Sequence, residues 1–568
     1  ETMYAGACPG GFQQLSFYDA MRGQLYRDFA DPIGMAARSL TEGLFGICPD
    51  YLNNTLVVQP GFPHNWPFAR LSTPNIYFDF KTKGTTHHYT IHQRSNKAAK
   101  LHLRLPALGT QLPYVQVNGK PVTPFFDTAA VGKPFMVITA PADTIHNLVV
   151  TWSAGRFKAP ATFTLKALQH EMLTLPLPGV QILQVYDPQG LGKQQVTLAT
   201  TLNLQVERPA GIYTVFVKCK QQQAIWWQPV QVQVLPPIEN VTCSAEGKGG
   251  SATLQWKLNC NQAIAAVTLN GKPITGRLTR DKASTCTVEV PTTNLVPGTN
   301  TLQCLLRDGA AFSTRFLQWD YWVNIKDVKS INISSHFNAS IADIFQQSYV
   351  SPRPTGPTLQ LPTHGFGNWC YPLAMPVISD SGMRQVAKQA GHKLQLANGL
   401  YFATPGQLDV PNISFVSQWH NFPDSLRIPV QARGSHAYLL MAGTTNPMQS
   451  RMANGVIYFE YGNGSRDSLL LVNPENWWPI EQDYYEDGFA FSRATPLPPR
   501  IDLASGQMRT QRLKKYDTIK GVTSYAISGG AATIVDMPLK PDTYLQQITI
   551  KALANDVVVG LMGITLLQ

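Results

Sequence analysis

Six carboxylates lie in the first fifty residues: Glu1, Asp19, Asp28, Asp31, Glu42 and Asp50. Paired carboxylates are the chemistry of glycosidic cleavage, one donating a proton and the other acting as base or nucleophile. Asp31 precedes Pro32, so it reads as a helix cap: its side chain accepts free N–H groups, and Pro fits the first turn without losing a bond. Glu42 falls in the last turn of the same helix, facing either solvent or an enclosed interior. Glu1 stands before the irregular run Tyr4-Ala5-Gly6-Ala7-Cys8-Pro9-Gly10-Gly11, a setting in which loop acids can act. Glu1 and Glu42 are therefore the catalytic candidates. The chain holds no Gly-x-Ser-x-Gly elbow, phosphate loop or dinucleotide fingerprint.

His87, His88 and His92 raise the question of a metal. On a strand, His88, Thr90 and His92 share one face, opposite Tyr89 and Ile91, but no carboxylate or third ligand joins them. A surface strand is expected, with no metal and no cofactor. Binding chemistry is denser near the C-terminus, in three loops. Ser417-Gln418-Trp419-His420-Asn421 precedes one strand, Asn446 to Arg451 follows another, and a third run extends from Asn473 through Trp477, Trp478 and Asp483 to Tyr484. Aromatic faces against C–H groups, with Asn, Asp, Arg or Gln on hydroxyls, suit an oligosaccharide. The ligand-binding candidates are Trp419, His420, Asn446, Arg451, Trp477, Trp478, Asp483 and Tyr484. The competing reading makes Trp419 and Trp477 core plugs, because large aromatics are mostly buried.

These residues need a scaffold, and the sequence describes one. At 568 residues the chain is long enough for about four domains. Charged residues make up only 14%, against about a quarter in an average soluble protein, while Gly (43) and Pro (42) are abundant. That composition points to turn-rich sandwiches with polar, uncharged surfaces. The net charge of +11 is scattered, and its densest run is Arg509, Arg512, Lys514 and Lys515, so no nucleic-acid stripe is expected. No apolar run reaches the roughly 18 residues of a membrane-spanning helix. The start at Glu1 reads as a processing site or truncation. Four of the eight cysteines, Cys243, Cys260, Cys286 and Cys304, crowd together, allowing either a disulfide framework of open connectivity or free buried thiols.

The fold class expected is mainly β: tandem sandwich modules, immunoglobulin/fibronectin-like and jelly-roll or galactose-binding-like, behind a short helical start. Residues 1–50 carry the helices, with Ala36, Ala37, Leu40, Leu44 and Phe45 at helical spacing. Residues 51–155 alternate as one sandwich, with an Asn118-Gly119 hairpin turn. Residues 156–236 form a smaller one, and 237–320 an immunoglobulin/fibronectin-like module with Trp256 in its core and a second Asn-Gly turn at Asn270-Gly271. Residues 321–568 form the last unit, closing on a buried strand at Val557–Met562.

Leu40 to Asp50, followed by Leu56-Val57-Val58-Gln59-Pro60-Gly61-Phe62-Pro63 and Trp66, resembles the exit of an (α/α)6 six-hairpin glycosidase barrel into its C-terminal sandwich. Gly367-Asn368-Trp369-Cys370, His436 to Gly443 and Asp536-Met537 are similar to the tail of large exported glycoside-hydrolase-like proteins of Gram-negative polysaccharide-degrading bacteria, a family of unknown function. The resemblance implies that 1–50 is the closing helical remnant of a barrel, that the rest of the barrel lies upstream as a partner, and that the protein is periplasmic or extracellular. It implies a glycoside hydrolase overall and a C-terminal accessory portion that is inactive alone, supports the barrel and binds polysaccharide. Two alternatives stand beside it: a structural, adhesion-like array that binds protein, and an enzyme completed by another chain through Glu1 or Glu42.

Overall fold

The computed structural model describes residues 35–568 apart from 36, 64, 96, 154–156, 158–162, 198, 246–249, 261, 276, 320–322, 354–375, 446–448, 450, 484–495 and 510–526. Glu1, the Asp31 cap and the motif Gly367–Cys370 lie outside the described residues. The architecture is mainly β, built of tandem two-layer sandwiches, and the chain divides into two compact units, residues up to 237 and residues from 238 onward. Among the described residues no helix is long and apolar enough to cross a membrane.

In the first unit the helical start ends in one wide turn, Ser39–Leu44, with the Phe45 N–H donating to Leu40 O at 3.0 Å. Phe45 then turns inward, meeting Phe62 and Phe78 edge-on at 5.2 and 5.6 Å. Gly46 makes this turn possible: φ is +64°, and a Cβ there would lie 1.9 Å from Gln59 O. The sandwich that follows has a five-stranded sheet, in the order Ile47–Asp50, Thr55–Val58, Lys100–Pro106, Phe135–Ala140, Phe125–Phe126. Against it lies a six-stranded sheet, in the order Phe68–Ser72, Ile76–Lys83, Thr86–Gln93, Ile145–Thr151, Tyr114–Val117, Lys120–Val122. Period-two alternation sends Phe78, Phe80, Ile91, Leu101, Leu103, Leu148 and Val150 into one core. Asn118 and Gly119 take φ of 49° and 78°, and Val117 pairs with Lys120, which is the two-residue turn that the Asn-Gly dipeptide predicts. The pairing of Thr55–Val58 with Lys100–Leu103 is parallel, which alternation cannot reveal.

The next sandwich sets Phe163–Ala167, Ala224–Val234, Gly211–Gln221 and Gln181–Tyr186 against Met172–Pro176, Thr201–Val206 and Gly192–Thr197. It is sewn to the first by main-chain bonds: Gly132 N–H to Trp227 O at 2.8 Å, and Trp227 N–H to Ala130 O at 2.7 Å.

The second unit opens with an immunoglobulin-like sandwich. Ile238–Ala245, Ser251–Leu258, Thr285–Pro291 and Thr279–Arg280 face Lys272–Pro273, Ile264–Leu269, Gly298–Leu306 and Ala311–Gln318 around Trp256. Cys260, Cys286 and Cys304 are free thiols, as is Cys219 in the preceding sandwich. A two-bridge framework is thus absent, and the module is held by packing.

The final sandwich has at its centre the strands Val557–Leu567 and His436–Thr445, paired antiparallel. Val328–Ile331 and Ser414–Ser417 border the first, and Ala531–Pro538 followed by Arg500–Asp502 extends the second. One face of this sheet packs on Ser425–Ala432, Leu545–Ala552, Ala453–Tyr461 and Arg466–Val472. Its other face, with Tyr438, Leu440 and Ala442, is covered by the loop-rich front and by the helix Ser381–Gln389. Arg384 of that helix is buried, and it donates to Asp380 Oδ2 at 2.8 Å, Val410 O at 2.9 Å and Ser340 Oγ at 3.2 Å. A buried guanidinium so fully paired staples the front together.

The immunoglobulin-like sandwich is latched to the final one through buried polar groups. Asp536 accepts the Thr299 N–H at 2.7 Å and hydroxyl at 3.3 Å, His436 Nε2 lies 2.9 Å from Thr299 O, and the Tyr438 hydroxyl donates to Pro297 O at 2.9 Å. Gly298, at φ +91°, leaves the room that Asp536 occupies; a Cβ would sit 2.5 Å from its Cγ. Gly298→Ala should therefore destabilise the protein by about 1–3 kcal/mol, read as a lowered Tm or denaturant midpoint.

Burial pushes the Cys219 and Cys304 thiols up to about 12. Between their ordinary value of 9.0 and about 12 the unfolded chain has released protons that the folded chain retains, so stability is complete below that window and falls as pH rises through it. Denaturant midpoints should decline from pH 9 upward, and a thiol-alkylating reagent at pH 8 should label exposed Cys48 while sparing these two until the chain unfolds.

Candidate functional site

The register of the final sandwich brings its distant loops to one end. Thr445 pairs with Val557, Ser417 with Val558, Gly455 with Ala552, Ser425 with Lys551 and Ala453 with Val472. The described segments 418–424, 451–452, 473–483 and 553–556 must therefore emerge side by side. The described parts of the three loops singled out in the sequence converge there, together with 553–556, which was not singled out.

The tryptophans form the floor of this end. Trp419 is 1% exposed, its indole N–H donates to Asn555 O at 2.8 Å, and its ring meets Tyr349 edge-on. Trp478, 3% exposed, donates to Pro474 O at 2.6 Å, and the Arg500 guanidinium lies 5.8 Å from its ring centre. Trp477 is fully enclosed at 0%, and its indole N–H meets no acceptor among the described residues. The three rings pack inward as plugs and present no open face to a ligand in this structure.

The rim above them is polar. His420 is exposed, its backbone N–H held by Ser351 O at 3.1 Å, while Arg353 braces the same loop through the carbonyls of Ser417 (2.6 Å) and Phe422. Arg451 pairs with Glu475 Oε1 at 2.9 Å, and its N–H donates to Asn473 O at 2.6 Å, tying the second loop to the third. Asp483 is clasped by two arginines, Arg500 at 2.8 Å and Arg509 at 2.9 Å, and Arg509 also reaches Asp502 at 3.2 Å. Arg500 is buried, donating to Gln482 O, Pro479 O and Ala531 O as well. Burial lowers its pKa, and neighbouring Asp483 works against that fall. Beneath this network the Glu481 carboxylate accepts the Thr444 hydroxyl at 3.0 and 3.2 Å. Asn446 and Tyr484 lie outside the described residues.

Glu481, Thr444, Arg500 and Arg509 escaped the sequence reading. Glu481 sits within the third loop, but nothing in its neighbours marks it as buried. Arg500 contacts groups 17 to 31 residues away, a separation with no sequence signature. Glu42 lies elsewhere, on the helical turn before the first sandwich, in an exposed ion pair with Arg38 at 2.7 Å. The rim offers hydrogen-bond donors and acceptors, and three of its carboxylates, Glu475, Asp483 and Asp502, are engaged by arginine.

No family model matches the chain, and no curated protein matches it. Among solved structures it is similar to a Bacteroides ovatus mixed-linkage glucan utilization locus protein, SGBP-B, in complex with a mixed-linkage heptasaccharide: 11% identity over 78% of this chain and 89% of that one, TM-score 0.16. It is also similar to the fibronectin(III)-like modules of Clostridium thermocellum CbhA (16% identity, 29% and 94% covered, TM-score 0.10) and to the I-band fragment I67–I69 of titin (9%, 43% and 98%, TM-score 0.13).

Truncation of a floor residue and of a rim residue should separate cleanly. Trp477→Ala is expected to cost about 3–5 kcal/mol in denaturant unfolding, whereas His420→Ala should stay within about 0.5 kcal/mol of the parent.

Proposed function

We propose that the chain is the C-terminal accessory portion of an exported, carbohydrate-active, glycoside-hydrolase-like protein, in which residues 321–568 hold polysaccharide at the loop-bearing end. The modules 51–155, 156–236 and 237–320 brace and space, and an upstream helical barrel is the partner of the helical start. The observation that carries the reading is the convergence of four loops, distant in sequence, into a polar rim over a rigid tryptophan floor. Fixed floors with a few convergent polar groups are how proteins orient hydroxyl-rich ligands without a large ordering cost. Two further features agree with it. Phe45 and Gly46 splice the helical start directly into the first sandwich. Glu42 is engaged by Arg38 in an exposed pair, so hydrolysis is assigned to groups outside this portion.

Because the tryptophans are floor, the binding groups on the described rim are His420, Arg451 and Asp483. Affinity electrophoresis of the full chain through gels containing neutral plant or bacterial polysaccharides tests this directly. Retardation by at least one polysaccharide is expected, and the double variant His420→Ala/Arg451→Ala should lose it while keeping the parent Tm. Migration unaffected by every polysaccharide would overturn the proposal in favour of a protein-binding sandwich array.

A further inference from the structure

Among the described residues the outer face of the six-stranded sheet in the first sandwich carries exposed Arg70, Lys81, His88 and Asn147, with His92 half-buried beside them. Strand register builds a row straight across this face: Arg70 opposite Asp79, Asp79 opposite Thr90, Thr90 opposite Asn147. The row is hydrogen-bonded at its links, Arg70 Nε to Asp79 Oδ1 at 2.9 Å and the Thr90 hydroxyl to Asn147 Oδ1 at 3.1 Å. A parallel row sets Lys81 beside His88, with the ammonium 3.0 Å from Asp79.

The first row ends at Asn147, which lines a surface depression of about 610 Å³ together with Asn118, Gly119, Asp143, Thr144 and Ile145. The second row runs beside it, from Lys81 and His88 to Val149. Here the Asn118 amide donates to Asp143 Oδ2 at 3.3 Å and to Ile145 O at 3.0 Å, which fixes the rim. The Asn147 amide N–H₂ and the His88 ring nitrogens engage no partner among the described residues.

We propose that this face and its depression form a second saccharide site, one that takes an acidic oligosaccharide bearing carboxylate or sulfate groups. The inference rests on reading the chain as carbohydrate-binding. Charge supplies the sign: Arg70, Lys81, Lys83 and Arg94 outnumber Asp79 and Asp143 on and around the face, so an anion meets a net cationic surface. Short amide and hydroxyl side chains, held by one another, match sugar hydroxyls at little ordering cost. A nucleic-acid backbone would call for an unbroken cationic stripe, and here Asp79 sits between Arg70 and Lys81. Arg70, Lys81 and His88 meet the acid group, and Asn147 with Asn118 meets the hydroxyls.

Titration calorimetry of the full chain with oligogalacturonate, chondroitin sulfate oligosaccharides, a neutral β-glucan oligosaccharide and single-stranded RNA tests the site. Either acidic saccharide should bind, the preferred one identifying the acid group, and affinity should fall as salt rises. Lys81→Ala and Asn147→Ala should each weaken it about tenfold, the loss of one charge-assisted or paired contact, at unchanged Tm. These variants should leave retention on neutral polysaccharide intact, and His420→Ala/Arg451→Ala should leave acidic binding intact, so the two sites fail independently. Binding of neither acidic saccharide, unchanged affinity in Lys81→Ala/Asn147→Ala, or RNA binding as tight as the saccharide would overturn the proposal.

Discussion

The antiparallel pair His436–Thr445 and Val557–Leu567 is the constraint on which the second unit depends. Both strands are buried along almost their whole length, because the sheet they centre is covered on two faces. At one end His436 and Tyr438, with Asp536 from the neighbouring strand, grip the immunoglobulin-like sandwich. At the other, Thr444 and Thr445 hold the floor of the loop-bearing end through Glu481 and Asn454. Ten residues of extended chain span about 33 Å, so a single strand fixes the separation of latch and rim. A slip by one residue would turn every side chain to the opposite face and disperse both.

Charge is scarce in this protein, and where it is buried it joins segments. Arg384 with Asp380 fastens the helix Ser381–Gln389 to the front of the last unit, and Arg500 with Asp483 closes the third loop onto the sheet edge. The half-buried pair Arg104 and Asp127 joins segments of the first sandwich in the same way, the guanidinium lying over the Phe135 ring at 4.0 Å. Such pairs gain little over apolar packing of the same volume, yet leaving one partner alone is costly. Their value lies in fixing which loop meets which strand. The buried thiols take no such part; burial raises them, and they behave as small apolar side chains.

The two units build polar surfaces in different physical ways. The first presents a flat, hydrogen-bonded sheet face whose charge is net cationic, the second an end built of converging loops. Both arrangements fix polar groups in place, one by cross-strand pairing and the other by arginine clamps and a tryptophan floor.

Much of this was legible in the chain itself. Period-two alternation identified the strands around Phe78, Leu103, Val232 and Ile548, and both Asn-Gly dipeptides set their turns, because positive φ at two consecutive residues is a local requirement. Trp256 declared itself as core by lying in an alternating strand. The apolar run Val557–Met562 read as a buried strand, and burial of Trp419 and Trp477 stood as one of two readings. Other features had no local signature. The runs His436–Thr445 and Val557–Leu567 lack alternation because both faces are covered, and coverage is a property of distant chain. The parallel pairing of Thr55–Val58, the burial of Trp419, Trp477 and Trp478, and the partners of Arg500 depended on contacts far along the sequence. Composition and periodicity determined that strands form and where they turn; only tertiary register decided which loops meet, because pairing partners are selected by the packing of the whole sheet.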